Sequence, residues 1–134
     1  MNHHDPGPTC PSCEKKLEEA HPYMASWFHD IKKDIPMIHI SWSYRDGPSQ
    51  ELAFKQGKTK LHFPLSKHNF IKIGKPCSLA LDLFVLSVEG IAQFPQLTYA
   101  KINAYNESKS LPINWGGKWK SIGDSDHFEF SGSV

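Results

Sequence analysis

Residues Cys77–Leu86 read CSLALDLFVL. Leucine, valine and phenylalanine at this density describe a strand covered on both faces. Leu79, Leu81, Leu83 and Val85 point one way; Ala80, Asp82 and Phe84 point the other. Asp82 is the anomaly. An unpartnered carboxylate in an apolar strand would cost several kcal/mol. It must therefore accept backbone N–H bonds, pair with other side chains, or bind a metal.

Candidate partners lie on both sides along the chain. Upstream, Pro64–Asn69 reads PLSKHN and places His68 in a polar loop. Downstream, Asp126–Phe130 reads DHFEF, a short strand with His127 on one side and Phe128 and Phe130 on the other. Two histidines and an aspartate supply three ligands, and a catalytic zinc keeps its fourth position for water. Taken singly, each histidine reads equally well as an ordinary core or surface residue. His3, His4, His21, His29, His39 and His62 are read that way. The segment before His127, Trp115–Phe130, is WGGKWKSIGDSDHFEF. It sets Asp124 three residues ahead of the histidine, the place for a general base beside a metal-bound histidine.

Composition narrows the class. At 134 residues the chain is expected to form one domain able to bury a core without staples. Hydrophobic residues make up 39% and aromatics 12%, the mark of a globular protein. Fifteen basic against fourteen acidic residues give no polyanion-binding bias, so no nucleic-acid partner is expected. No apolar run approaches the ~18 residues of a membrane span, so membrane insertion is not expected either. The opening residues lack the apolar stretch of a signal peptide, and synthesis in a bacterial cytoplasm is expected.

Residues 1–9 are polar and rich in Pro and Gly and are expected to be disordered, with a single domain over 10–134. Helical spacing runs from Cys13 through Leu17 and Ala20; Pro22 restarts it as a second helix to about Lys33. MIHISWS, Met37–Ser43, alternates Ile38, Ile40 and Trp42 against His39, Ser41 and Ser43, a half-buried strand. A helix follows from Pro48, capped by Gly57. Glu89-Gly90 marks a turn before a short strand, and PQLTYAKINAYNES is a helix. LPINW and DHFEF close the chain as strands. This order predicts an α+β fold with a small, mainly antiparallel sheet flanked by helices. Three cysteines, Cys10, Cys13 and Cys77, argue against a disulfide scaffold. CPSC alone reads as a surface knuckle of reduced thiols; with Cys77 and His3 or His4 it would make a zinc site.

These stretches together resemble the M15 family of zinc D,D-/L,D-peptidases. SKHN…PCSLALDL is similar to its histidine and aspartate signatures, and WGGKWKS…DSDHFEF to its closing segment. The hedgehog/DD-peptidase fold of that family is thereby implied. SWSYRDGPSQELAFKQGKTKLHFPLSKHN, Ser41–Asn69, is similar to the phage L-alanyl-D-glutamate endopeptidases in particular; other members are VanY-type D-Ala-D-Ala carboxypeptidases. The likeness spans about residues 35–130. It implies zinc held by His68, Asp82 and His127, Asp124 as catalytic acid/base, and Arg45 on the scissile carbonyl or a substrate carboxylate. Ser66 matches the serine of the histidine motif, a supporting and substrate-side position. Trp115, Trp119, Gly116 and Gly117 would wall the cleft, and Glu129 would neighbour His127 in the second shell.

The His68–Asp82 interval is longer than in many members, and Gly74 stands without an assigned role there. The resemblance implies a monomeric hydrolase of peptidoglycan stem peptides, a phage or prophage endolysin reaching the wall after holin release. The other reading is a catalytically inactive, zinc-containing peptidoglycan-binding module of the same fold. Asp124 and Arg45 together argue against it, since pure binding has no use for both.

Overall fold

A computed structural model describes residues 10–118 and 125–132. The chain opens with two helices, each started by proline at its first position: α1, Pro11–Leu17, and α2, Pro22–Asp34. Strand β1, Ile38–Trp42, leads into α3, Gly47–Lys55. Asp46 caps α3 by accepting from the Ser49 amide at 2.9 Å. Gly57 ends it at φ +74°, with Lys58 N–H returning to the Ala53 carbonyl, the closure that its glycine predicts.

A 3-10 turn, Lys67–Asn69, carries His68. The long interval that follows folds as a hairpin of β2, Ile71–Lys72, and β3, Lys75–Pro76. Ile73 and Gly74 form its tip, both at positive φ (53° and 72°), so Gly74 serves the turn. Then come β4, Ala80–Leu86, β5, Ala92–Gln93, α4, Gln96–Ser108, β6, Ile113–Trp115, and β7, His127–Phe130.

The main sheet runs β1-β4-β7-β6, with β5 on the end of β4, and every pairing is antiparallel. This is the α+β architecture read from the sequence. β4 is its centre: it pairs with β1 on one edge and β7 on the other, and its side chains are buried along most of its length.

Leu79, Leu81, Leu83 and Phe128 pack against Met24, Trp27, Phe28 and Ile31 of α2, and against Tyr99 and Ile102 of α4. Each such side chain contributes about 1.5–3 kcal/mol on burial. Packing of this kind, more than propensity, holds the helices in place. The polar tips are also satisfied. Trp27 Nε1 donates to Asn106 Oδ1 at 2.7 Å, and the Tyr99 hydroxyl donates to the Leu83 carbonyl at 2.6 Å. Among the described residues no helix is long and apolar enough to cross a membrane.

Three local readings change. His39, set on the polar side of β1 with Ser41 and Ser43, is wholly buried. Trp42, expected inward with Ile38 and Ile40, is 41% exposed. The cause is a bulge: Ile40 pairs with Leu83 and Trp42 with Asp82, leaving Ser41 as an extra residue in β1. Cys10 and Cys13, expected in a surface knuckle, are wholly buried. Cys10 is the residue before α1 and Cys13 lies inside it, facing the core.

Candidate metal centre

Asp82 and His127 are direct partners across the β4–β7 ladder, which brings the side chains of two distant positions onto adjacent strands. His68 arrives from the 3-10 turn. Ser66 accepts from the His68 amide at 3.1 Å, Asn69 Oδ1 accepts from the Ser66 amide at 3.0 Å, and the reciprocal pair forms a capping box. The turn is tied to the sheet by Leu79 N–H on the Lys67 carbonyl at 2.9 Å and Lys67 Nζ on the Phe130 carbonyl at 2.6 Å.

His68, Asp82 and His127 consequently meet, one ligand atom from each lying within 4.8 Å of the others. All three are buried. Asp82 Oδ1 is 3.1 Å from His68 Nε2 and 3.0 Å from His127 Nδ1.

The outer nitrogens decide what this cluster is built for. His68 Nδ1 donates to the Ser43 carbonyl at 2.6 Å. His127 Nε2 donates to Glu129 Oε1 at 2.9 Å. Neither oxygen can donate, so both imidazoles must carry a proton on the outer nitrogen. In their neutral forms, His68 Nε2 and His127 Nδ1 then present lone pairs toward a carboxylate oxygen. With the outer nitrogens already protonated, only a further proton on each ring or a metal cation can hold these inner nitrogens against Asp82. A metal ion fits this donor set, and the outer partners, a backbone carbonyl and a carboxylate, are those that orient metal-binding histidines.

When the inner nitrogens carry protons instead, burial pushes the Asp82 pKa up, but the charge on His68, then hydrogen bonds from His127 and His68, outweigh it. The carboxyl is held well below the usual range and stays ionised.

Arg45 completes the arrangement. Its Nη2 donates to Asp82 Oδ2 at 3.0 Å, so the two Asp82 oxygens divide between guanidinium and histidines. Nη1 lies 3.4 Å from Gln50 Oε1, the guanidinium stands over the Trp42 ring at 5.2 Å, and Nε has no acceptor among the described residues. Arg45 is itself buried, so it is no surface partner of Asp46, which instead caps α3.

Gln50 and Asn69 escaped the sequence reading as parts of the site. Gln50 Nε2 donates to the Leu61 carbonyl at 2.7 Å, and Asn69 Nδ2 bridges the Arg45 carbonyl (2.9 Å) and Gln50 Oε1 (3.2 Å). Gln50 and Ala53 are the two buried positions of α3, and a glutamine on that inward face was the available signal.

Five of the expected residues thus come together: His68, Asp82, His127, Arg45 and Glu129. Ser66 stands behind His68 and shapes its turn. Trp115 stacks on Phe128 at 6.3 Å, and its Nε1 donates to the Ser125 carbonyl at 2.6 Å, so its ring covers the core. Asp124 and Trp119 lie outside the described residues.

A solved structure shares this architecture. The L-Ala D-Glu endopeptidase ChiX of Serratia marcescens superposes with a TM-score of 0.68 over 88% of this chain and 85% of its own, at 20% identity. The chain has the fold of that enzyme. No family model matches the sequence, and the search of curated proteins finds no match.

Proposed function

We propose that the chain is a zinc-dependent, M15-type peptidase that hydrolyses peptide bonds in peptidoglycan stem peptides. The observation that carries this reading is the convergence of three acceptor atoms, from His68, Asp82 and His127, with their outer nitrogens already committed. Support comes from the fold shared with an enzyme described as an L-Ala D-Glu endopeptidase.

His68, Asp82 and His127 would hold the zinc, which when bound supplies water with a pKa near 7 and a polarised carbonyl. The rest falls to the chain's own side chains. Asp124 takes the proton of the attacking water and returns it to the leaving amine. Arg45, always charged and backed by Asp82 and Gln50, offers its remaining donors to the oxygen on which negative charge develops, or to a substrate carboxylate. Glu129 and the Ser43 carbonyl fix the two imidazoles, and Ser66 fixes the turn under His68. Lysis of a bacterial wall by a phage or prophage is the setting proposed for it.

Digestion of purified peptidoglycan, followed by mass spectrometry of the new termini, tests the proposal. New amino termini on D-glutamate identify an endopeptidase, and released D-alanine identifies a carboxypeptidase. Activity should vanish with a chelator and return with zinc. Unaltered peptidoglycan that still retains the zinc-loaded protein would overturn hydrolysis in favour of a binding module.

A further inference from the structure

A second trio lies apart from the first. Cys10, Cys13 and His39 bring two sulfurs and a ring nitrogen within 4.8 Å of one another, all three residues fully buried. His39 Nδ1 stands 3.4 Å from Cys10 Sγ and 3.6 Å from Cys13 Sγ, facing both. Both sulfurs accept backbone amides: Cys13 N–H reaches Cys10 Sγ at 3.3 Å, and Ile40 N–H reaches Cys13 Sγ at 3.3 Å. The His39 ring is held from the side by Phe84, stacked at 5.6 Å.

We propose that Cys10, Cys13 and His39 bind a structural zinc ion. Three features of such a site are present. The i, i+3 spacing of CPSC turns both sulfurs to one side. Burial and the neighbouring Cys10 push the Cys13 thiol up to about 12, while the Ile40 amide aimed at its sulfur favours the charged form that a metal would hold. A nitrogen from a distant strand closes the group. Sulfur with imidazole selects a thiophilic cation over calcium or magnesium. A structural zinc takes four ligands, and these residues supply three of them. Cys77, although buried, does not belong to the group.

The position gives the ion a task. α1 has only seven residues, and of these only Cys13 and Leu17 are buried. A helix that short does not persist by itself. Zinc would clamp it to β1 through His39. Beyond β1 the chain leads directly to the Ser43 carbonyl on His68 and to Arg45. The clamp therefore stiffens the strand from which the first trio is oriented, and it does not depend on whether that trio catalyses anything.

Zinc content and X-ray absorption of the full-length, zinc-loaded protein test the assignment. Two zinc ions per chain are expected, with Zn–S scattering at about 2.3 Å beside Zn–N/O at about 2.0–2.1 Å. His127→Ala should leave one zinc, with the sulfur signal intact. Cys13→Ser should also leave one, with the sulfur signal gone and the melting temperature lowered. One zinc per chain with no sulfur scattering in the wild type would overturn the proposal, as would a Cys10–Cys13 disulfide that persists after zinc loading. The wild-type spectrum decides the matter even if Cys13→Ser fails to fold.

Discussion

The His68–Asp82–His127 trio and the Cys10–Cys13–His39 trio are equally buried, yet their surroundings differ in kind. Around the first stand acceptors and a charge: the Ser43 carbonyl, Glu129, and the Arg45 guanidinium on Asp82. Around the second, amide N–H groups point at sulfur. The first offers nitrogen and oxygen donors, with a cationic side chain whose Nε has no acceptor among the described residues at its border. The second surrounds sulfur with hydrogen bonds and aromatic carbon. Burial does not tell the two trios apart; donor type and the partners behind the donors do.

The largest effect should follow from Asp82→Asn. It removes the charge shared by both histidines and Arg45, leaving a guanidinium buried without its counter-charge, a loss of about 3–5 kcal/mol. Urea unfolding should show that loss, and metal analysis should show the first site empty while the sulfur-ligated zinc remains. Loss of both metals together would mean that the two trios are one cooperative unit, and the contrast drawn between them would fail.

Asp124→Asn comes next. Turnover on peptidoglycan should fall on the order of 10²-fold or more, with zinc content and melting temperature unchanged. Near wild-type digestion would move the search to Asp126 or Glu129.

Arg45→Lys sharpens the comparison from the cationic side. Lysine preserves the charge beside Asp82 but cannot reproduce the planar fork. Catalytic efficiency should drop by more than about tenfold, with zinc retained. A silent variant would reduce Arg45 to a structural counter-ion and weaken the catalytic reading of the whole trio.

The smallest change is expected from Glu129→Gln, which retains an acceptor for His127 but removes the charge. Zinc affinity at the first site should weaken about 10–100-fold, measured by competition with a chelator, while the second site is untouched. An equal loss at both sites would point to a global effect.

The same contrast explains what could be read from the sequence. Asp82 announced itself because a carboxylate in CSLALDLFVL has no cheap explanation, and the histidines could then be sought as its partners. Central β4, flanking β1 and β7 and the helices followed from periodicity, so the fold class was legible. The second trio was not. Cysteine behaves as a small apolar residue, so Cys13 merged with Leu17 and Ala20 on a helical face. His39 occupied the polar phase of an alternating strand and read as outward-facing. Its meeting with the cysteines depends on how α1 folds back on β1, a tertiary event without a local signal. Gln50 and Asn69 were hidden for a similar reason, since neutral amides signal neither charge nor burial. Trp42 was misplaced because alternation assumes an unbroken pleat.

That break in the pleat carries a consequence for how this chain can change. Most positions in a strand are constrained by what they are; around Ser41 the constraint is on how many there are. Because one extra residue lies between the partners of Leu83 and Asp82, everything beyond it is set half a pleat out of phase with the beginning of the strand. Removing a single residue there would leave composition, charge and apolar content almost intact, yet would turn the Ser43 carbonyl and Arg45 toward the wrong side of the sheet. Substitutions can drift through this stretch, whereas its length is a counted quantity.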